Sequence, residues 1–333
     1  MYRVMPFFSD FSRCTPCVPC AAVVNSYMSS SVFSFLQGNG TARAGWLVLA
    51  LQLLPWSMVP VQAAISVTDD AGRQLVLEQP ARRIVSLAPY LSELLFAAGA
   101  GKAVVGVSEF SDYPEAAAAV RHVGGGSGLD LEAILALQPD LVVAWQSGNP
   151  VNQVERLRSL GLSVYLSEPR QLLDVPDTLL RLGRLAGTET VAKAAADSFI
   201  ARYRQLENRY AQRPLVSVFY QIWEQPLMTL NGEHLFTDVL RLCGGRNVFA
   251  ELPALAPQID IEAVLVADPE VIVIAVDNQD SALLTAWQRW PSLSAVQNGN
   301  VYAVARDQLV RHTPRILEGA EELCAILEGV RKK

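Results

Sequence analysis

The sequence predicts an α/β protein of two Rossmann-like lobes that are joined by a single long backbone helix. Three observations support this fold class. Short apolar strands alternate with helices along most of the chain, one helix is much longer than the others, and a helix–proline–strand pattern occurs in both halves. Alternation of strands and helices is typical of parallel sheets with crossover helices.

The predicted first lobe covers residues 64–175. It opens with a hairpin, in which "DDAG" forms the turn, and continues with the buried strand "RIVSL". The helix "SELLFAAGAG" follows, with Ser92 as its expected N-cap and Gly99 at its end. The strands "AVVGV", "DLVVAW" and "LSVYLS" then alternate with helices.

A long helix is predicted between Thr188 and about Arg213, within a linking region of residues 176–213. Apolar residues recur there at steps of three and four, which indicates one amphipathic helix. About 24 residues would span roughly 36 Å, more than a crossover helix needs. The helix therefore suits a connection between lobes. The α/β alternation resumes afterwards, which predicts a second lobe over residues 214–333.

The two halves share an internal repeat. "LDLEAILALQPDLVVA" in the first half matches "IDIEAVLVADPEVIVIA" in the second half in pattern. Each copy has an aspartate that caps the helix, a glutamate two residues later and a proline before a buried strand. These residues are Asp130, Glu132 and Pro139 in one copy and Asp260, Glu262 and Pro269 in the other. Any helix–proline–strand unit could look similar, but the equal offsets favour two related lobes.

Residues 1–63 are predicted to be an N-terminal extension and signal peptide. Arg43 precedes an apolar run from Trp46 to Leu54, and "VQA" follows where a signal peptidase cuts, which is the layout of a secretory signal. The run is too short to span a bilayer, although a buried core helix is an alternative. The motif "CTPCVPC" lies upstream of this signal and shows no fourth ligand, so we expect no metal site there.

Two further cysteines, Cys243 and Cys324, remain after removal of the signal. In an oxidising compartment an even pair of cysteines usually forms a disulfide. We therefore predict a Cys243–Cys324 bridge that fixes the last helix to the second lobe. Two buried thiols are the alternative.

The sequence gives little indication of catalysis. It has no G-x-S-x-G, no P-loop and no H-E-x-x-H motif, and its three histidines share no metal-ligand spacing. The net charge of −6 argues against a nucleic-acid-binding protein, which needs a basic surface. We expect no enzyme activity, no nucleic-acid partner and no resident metal or cofactor.

Aromatic residues lie where the predicted strands end. They are Tyr90, Phe110, Tyr113 and Trp145 in the first lobe and Tyr220 and Trp223 in the second. Ligands of parallel α/β sheets bind beyond the carboxyl ends of the strands. Aromatic walls with few charges suit a large, flat and mostly apolar ligand. Some of these side chains could instead be core residues.

Several stretches together resemble one protein family. They are "RRIVSLAPYLSELLFAAGAGKAVVGVSEFSDYP", "LDLEAILALQPDLVVAWQSGN", "LCGGRNVF", "PQIDIEAVL" and "RHTPRILEGAEELC". From about Ile65 to its end, the chain resembles the helical-backbone class of periplasmic substrate-binding proteins. That class serves ABC importers of cobalamin, haem and iron–siderophores. Single motifs are not specific, but their combination is similar to the cobalamin branch.

The resemblance implies a monomeric periplasmic receptor that carries cobalamin to a dimeric permease with its ATPase subunits. It places Phe110, Trp145, Met228 and the segment from Asp307 to Arg311 at the ligand, with Arg311 as the one cleft arginine. It also assigns Glu132 and Glu262 to permease docking.

The sequence departs from the family at two positions, Gly126 and Ala256, where some members carry tryptophan. We expect Tyr220 and Trp223 to compensate as ligand-binding residues. A haem or siderophore receptor of the same class is the first alternative function. A two-lobed α/β enzyme with a cleft is the second.

Overall fold

The computed structural model describes residues 64–125, 128–276 and 281–333. The predicted signal peptide, the "CTPCVPC" motif and Gly126 lie outside the described residues. Among the described residues, no helix has both the length and the apolar character needed to cross a membrane.

Twelve strands are described, all short. In chain order they are β1 (Ile65–Thr68), β2 (Gln74–Leu77), β3 (Ile84–Ser86), β4 (Val104–Val107), β5 (Gly124–Gly125), β6 (Gly128–Leu129), β7 (Leu141–Trp145), β8 (Val164–Ser167), β9 (Val216–Gln221), β10 (Gly245–Asn247), β11 (Val271–Val276) and β12 (Val301–Ala305).

The described α-helices likewise alternate with the strands. They are α1 (Pro89–Ala97), α2 (Glu115–Ala118), α3 (Leu131–Ala136), α4 (Val151–Ser159), α5 (Asp174–Ala186), α6 (Glu189–Tyr210), α7 (Leu235–Leu242), α8 (Ile261–Ala267), α9 (Ser281–Ala286), α10 (Ser294–Gln297), α11 (Arg306–Val310) and α12 (Ile316–Arg331). Short 3₁₀ turns follow α1 and α9.

The predicted hairpin is confirmed: β1 pairs antiparallel with β2. Its turn is fixed by Asp69, whose carboxylate accepts backbone hydrogen bonds from Ala71 (3.0 Å) and Arg73 (2.8 Å). Gly72 has a φ of 77°, which a residue without a Cβ adopts at little cost.

Two four-stranded parallel sheets form the framework. Their strand orders are β4-β3-β7-β8 and β10-β9-β11-β12. When the strands of each sheet are counted along the chain, both sheets have the same spatial order: second, first, third, fourth. The internal repeat found in the sequence therefore corresponds to a repeat of topology, and the two-lobed α/β prediction is confirmed.

The first helix begins earlier than predicted. Pro89 occupies the start of α1, a position where its missing N–H and fixed φ are favourable. Ser92 is consequently inside the helix and not its N-cap, and its buried hydroxyl donates to the Ser86 hydroxyl over 2.9 Å. The predicted end is confirmed, since Gly99 follows the last turn with a φ of 84°.

The long predicted helix is α6, which has 22 residues. It packs against α1 and α5, which precede it in the chain, and against α7 and α12, which follow it. Its buried face includes Ala192, Phe199 and Leu206. Through this face one hydrophobic core runs without a break from α1 to α12.

Candidate functional site

A cavity of about 710 Å³ lies between the two sheets of the protein. One wall follows β4, and the other lies near the ends of β9, β11 and β12. Its lining residues are Phe110, Asp112, Trp223, Val276, Ala305, Arg306, Asp307, Gln308, Arg311 and Arg315. The cavity thus lies at the carboxyl ends of parallel strands, where α/β proteins bind ligands.

Two large aromatic side chains reach this cavity from opposite lobes. Phe110 is 75% exposed and Trp223 is 53% exposed. Phe110 also has a φ of 62°, an unusual backbone conformation for a residue other than glycine. The Trp223 indole N–H donates to the Gln225 carbonyl over 3.0 Å, and the Arg306 guanidinium lies 5.5 Å from its ring centroid. The Trp223 ring is therefore held in place, and both rings leave much of their surface open to solvent.

Met228 is placed beside Trp223 by the backbone. The Ile222 N–H donates to the Met228 carbonyl (3.0 Å), and the Met228 N–H donates to the Trp223 carbonyl (3.2 Å). The side chain is partly buried and does not belong to the wall of the 710 Å³ cavity.

Tyr220 does not line the cleft, and that part of the sequence-based prediction is wrong. Its side chain is fully buried and stacks on Phe236 with a centroid distance of 3.8 Å. Burial also raises the pKa of its hydroxyl. The reason is that every residue of β9 is buried, so both faces of this inner strand are covered by other parts of the protein.

Trp145 lies at the end of β7 in a packed aromatic group. Its ring is edge-on to Tyr90 (centroid distance 5.8 Å) and to His312 (6.5 Å). A Cβ at Gly148 would come within 1.9 Å of the indole, so the glycine backbone covers part of the ring. Trp145 is partly buried and does not line the 710 Å³ cavity. Its contact with a ligand stays a prediction.

Two histidines of the second lobe belong to this packed group. His312 lies 5.3 Å from Tyr90 and 5.7 Å from His234, measured between ring centroids. Burial lowers the pKa of His234 to about 3 and that of His312 to about 4. Both are therefore neutral at neutral pH. Nδ1 of His234 accepts the Phe236 N–H over 3.0 Å and so caps α7.

Arg311 is the centre of a charged network that connects the lobes. Its Nη1 donates to Glu93 (2.8 Å) and to Asp112 (2.6 Å), and its Nη2 lies 2.8 Å from Asp307. Burial alone would raise the pKa of Asp112, but the hydrogen bond and charge of Arg311 lower it overall. Burial likewise opposes the charge of Arg311, yet these partners raise the pKa of its guanidinium.

Arg315 and Glu93 extend this network. Arg315 donates from Nε to one Glu93 oxygen (3.0 Å) and from Nη2 to the other (2.7 Å). The guanidinium also lies 3.9 Å from the Tyr113 ring centroid. Sequence reasoning missed Glu93, because a glutamate in a helix usually faces solvent.

The cavity contains more arginine than the sequence comparison implied. Arg306 and Arg315 join Arg311 in its wall. Arg306 donates to the carbonyl oxygens of Ile222 (2.6 Å) and Ala275 (3.4 Å), so it helps to fix the ends of β9 and β11. Within the described residues, no group of three histidine, cysteine or acidic side chains could hold a metal ion.

The repeated glutamates occupy equivalent positions. Asp130 caps α3 by accepting the Ala133 N–H (2.9 Å), and Asp260 caps α8 by accepting the Ala263 N–H (2.8 Å). Both caps were predicted from sequence and are confirmed. Glu132 and Glu262 then lie exposed in the first turns of these helices.

The predicted disulfide is present between Cys243 and Cys324. Cys243 follows the end of α7, Cys324 lies in the middle of α12, and both are fully buried. The bridge therefore fixes the last helix to the second lobe.

The comparison with known families agrees with this architecture. Residues 84–307 match the family described as "Periplasmic binding protein". The chain belongs to this family. The match supports the expectation that the protein binds and carries a solute and is not an enzyme.

Two of the similar proteins are named as vitamin B12-binding proteins. The chain is similar to the vitamin B12-binding protein of Vibrio cholerae, with 39% identity over 257 residues that cover 76% of this chain and 92% of the relative. It is similar to the vitamin B12-binding protein of Yersinia pestis, with 37% identity over 76% of this chain and 88% of the relative.

Solved structures resemble the fold closely. The crystal structure of the periplasmic vitamin B12-binding protein of Vibrio cholerae has a TM-score of 0.72 and 39% identity, covering 76% of this chain and 99% of that chain. A periplasmic haem-binding protein from Pseudomonas aeruginosa has a TM-score of 0.65 and 27% identity, covering 74% and 92%.

Proposed function

We propose that this protein captures cobalamin in the cleft between its lobes and delivers it to the permease of an ABC importer. The observation that carries the proposal is the pair of exposed aromatic rings, Phe110 and Trp223, on opposite sides of one large cavity. Aromatic side chains that line one large cavity are typical of ligand-binding sites.

The chemistry of the cavity suits a corrinoid. A corrin ring is broad and flat, and each aromatic that stacks on it contributes roughly 0.5–1.5 kcal/mol beyond the area it buries. Corrinoids also carry amide side chains around the ring. Arg311 and Asp307 offer a donor and an acceptor for such groups at the rim of the cavity. Relatives named as vitamin B12-binding proteins, at 39% and 37% identity, support the same ligand.

Delivery requires export and docking. In this proposal residues 1–63 direct the chain to the periplasm as a cleavable signal, residues 64–175 and 214–333 form the lobes, and residues 176–213 link them. The protein acts as a monomer. Each lobe contributes one glutamate, Glu132 or Glu262, that pairs with arginines of one permease subunit. The ATPase subunits supply the energy for transport.

An iron–siderophore receptor is the second candidate, and the arginines favour it. Arg306, Arg311 and Arg315 line the cavity and could attract an anionic ligand. However, Arg311 and Arg315 already contact carboxylates, which leaves little net positive charge for an anion. For haem, an iron ligand is expected, and the described wall of the cavity contains neither histidine nor tyrosine.

Titration of the processed protein distinguishes these ligands. Hydroxocobalamin, haem and a ferric siderophore are added in turn, and binding is followed by isothermal calorimetry and tryptophan fluorescence. We expect tight one-to-one binding of hydroxocobalamin and none of the others at micromolar concentration. Binding of haem or siderophore in preference to hydroxocobalamin would overturn the proposal.

A further inference from the structure

Glu93 is a charged side chain in an unusual place. It lies on α1, and its side chain is only 2% exposed. It is not part of the wall of the 710 Å³ cavity. It instead faces a separate cavity of about 390 Å³, whose wall also contains Phe96, Tyr113 and Arg202.

A buried carboxylate is costly unless it is paired and hydrogen-bonded. Among the described residues, Glu93 meets that requirement through the other lobe. One oxygen accepts from both Arg311 (2.8 Å) and Arg315 (2.7 Å), and the second accepts from Arg315 (3.0 Å). Since α1 precedes the spine helix α6 and both arginines follow it, the carboxylate connects the two lobes directly.

The three carboxylates that contact Arg311 in the described structure differ in their exposure to solvent. Asp112 is 62% exposed and Asp307 is 42% exposed, whereas Glu93 is buried. Ion pairs in water are weak because solvent screens them, while a pair removed from water holds its geometry. Glu93 is therefore the partner that dominates the orientation of Arg311.

We infer that Glu93 is a positioning residue for ligand binding, which acts from outside the cavity by holding the Arg311 guanidinium at the cavity wall. The effect on affinity rests on the proposed function, but the orientation of Arg311 does not. Glu93→Gln keeps the size of the side chain and removes its charge. Arg311 then retains its two exposed carboxylate partners, Asp112 and Asp307, and a long hydrogen bond to the Phe110 carbonyl (3.4 Å).

The orientation of Arg311 can be measured without ligand. A guanidinium held by a buried carboxylate rotates slowly and gives separate Nη–H signals in NMR spectra of ¹⁵N-labelled protein. The Arg311 signals are assigned by their loss in Arg311→Lys. We expect separate signals in the wild type and a single averaged signal in Glu93→Gln.

Asp70→Asn is the matched control for this measurement. Asp70 also lies in the first lobe and pairs with an arginine, Arg181, but it lines neither cavity. Its variant should keep the separate Arg311 signals. If Glu93→Gln kept them as well, the positioning role would be refuted, whatever ligand the protein binds.

A double-mutant cycle measures the effect on binding. Glu93→Gln should weaken hydroxocobalamin binding by about tenfold, since a hydrogen bond to a charged group is involved. In an Arg311→Gln background the same change should alter the dissociation constant less than about twofold. Asp70→Asn should not alter it. Equal losses in both backgrounds would mean that Glu93 does not act through Arg311.

Folding is controlled by a conservative variant. Glu93→Asp keeps the charge but shortens the side chain by one methylene group. The Arg311 signals should then stay partly separate, and the affinity for hydroxocobalamin should lie between those of the wild type and Glu93→Gln. If Glu93→Gln does not fold, Glu93→Asp decides: unchanged signals and unchanged affinity would overturn the inference. If the wild type itself fails to bind hydroxocobalamin, the proposed function fails, while the NMR comparison still decides whether Glu93 positions Arg311.

Discussion

Trp223 and Trp145 differ in how their side chains are packed. Trp223 is held by one indole hydrogen bond and leaves much of its ring in solvent. Trp145 packs between Tyr90, His312 and the backbone of Gly148. In the sequence the two residues looked alike, since each lies at or just after the end of a strand, but their surroundings predict different consequences of substitution.

Replacement of Trp223 by alanine should lower the affinity for hydroxocobalamin by about tenfold, because a stacking contact and its buried area are lost. The thermal midpoint should change by no more than a degree or two. Trp145→Ala should instead lower the free energy of unfolding by about 3 kcal/mol. Calorimetric titration and thermal unfolding of both variants check this; unchanged affinity of Trp223→Ala or unchanged stability of Trp145→Ala would contradict it.

The buried histidines predict a loss of stability in acid. An unfolded histidine has a pKa of 6.5, whereas burial lowers that of His312 to about 4 and that of His234 to about 3 in the folded protein. The unfolded state therefore takes up protons first as the pH falls. The contribution of each histidine to the free energy of unfolding is complete above pH 6.5. It falls by roughly 1.4 kcal/mol per pH unit between that pH and the pKa in the folded protein.

His312→Phe tests this directly, since both imidazole nitrogens are buried and lack a hydrogen-bond partner in the described structure. The variant should resemble the wild type at pH 7 and lose less stability between pH 6 and pH 4. Urea unfolding at several pH values measures the difference. His122→Phe, at an exposed position, is the matched control for the loss of a histidine.

At the scale of elements, the disulfide joins α7 to α12 across 81 residues of chain. A closed loop of that length removes chain entropy from the unfolded state equivalent to about 4–5 kcal/mol. Cys243→Ala with Cys324→Ala should therefore lower the free energy of unfolding by up to that amount. Urea unfolding with and without reductant measures it; reductant should destabilise the wild type and not the double variant.

The elements that the sequence predicted well are those with a strong local signal. The hairpin turn, the length of α6 and the two Asp-capped helices each depend on residues close together in sequence. The start of α1 was misplaced because Ser92 and Pro89 offer competing signals, and the proline is the actual first residue.

The errors at the candidate site have a different origin. Whether Tyr220 is buried depends on the helix that covers β9, and α7 supplies Phe236 from a later part of the chain. Similarly, Glu93 meets its arginines more than two hundred residues away in sequence. No local pattern carries such information, so the cleft aromatics were only partly predictable and the interlobe network was not.

At the scale of the molecule, the two sheets have the same strand order and share one core through α6. In the proposed complex, each of these two lobes would face one subunit of a dimeric permease. The equivalent helix starts at α3 and α8 then present one exposed glutamate from each lobe. A carboxylate in a first turn is favoured by the helix dipole, so Glu132 and Glu262 could also be purely structural.

The double variant Glu132→Ala with Glu262→Ala separates these roles. Docking predicts that the dissociation constant for hydroxocobalamin is unchanged, because neither residue lines the cleft cavity. Binding to the permease should weaken by about tenfold or more, since arginine and carboxylate form two hydrogen bonds per pair. The variant is added to permease reconstituted in liposomes, and cobalamin uptake is measured at moderate salt.

A matched control replaces two exposed glutamates away from the helix starts of the repeat, Glu155 and Glu321, with alanine. This control has the same change in net charge, so a general electrostatic effect would reduce uptake equally in both double variants. Docking through the repeated glutamates requires a loss in the Glu132/Glu262 variant only. Normal uptake by that variant would show instead that these carboxylates serve the first turns of α3 and α8 alone.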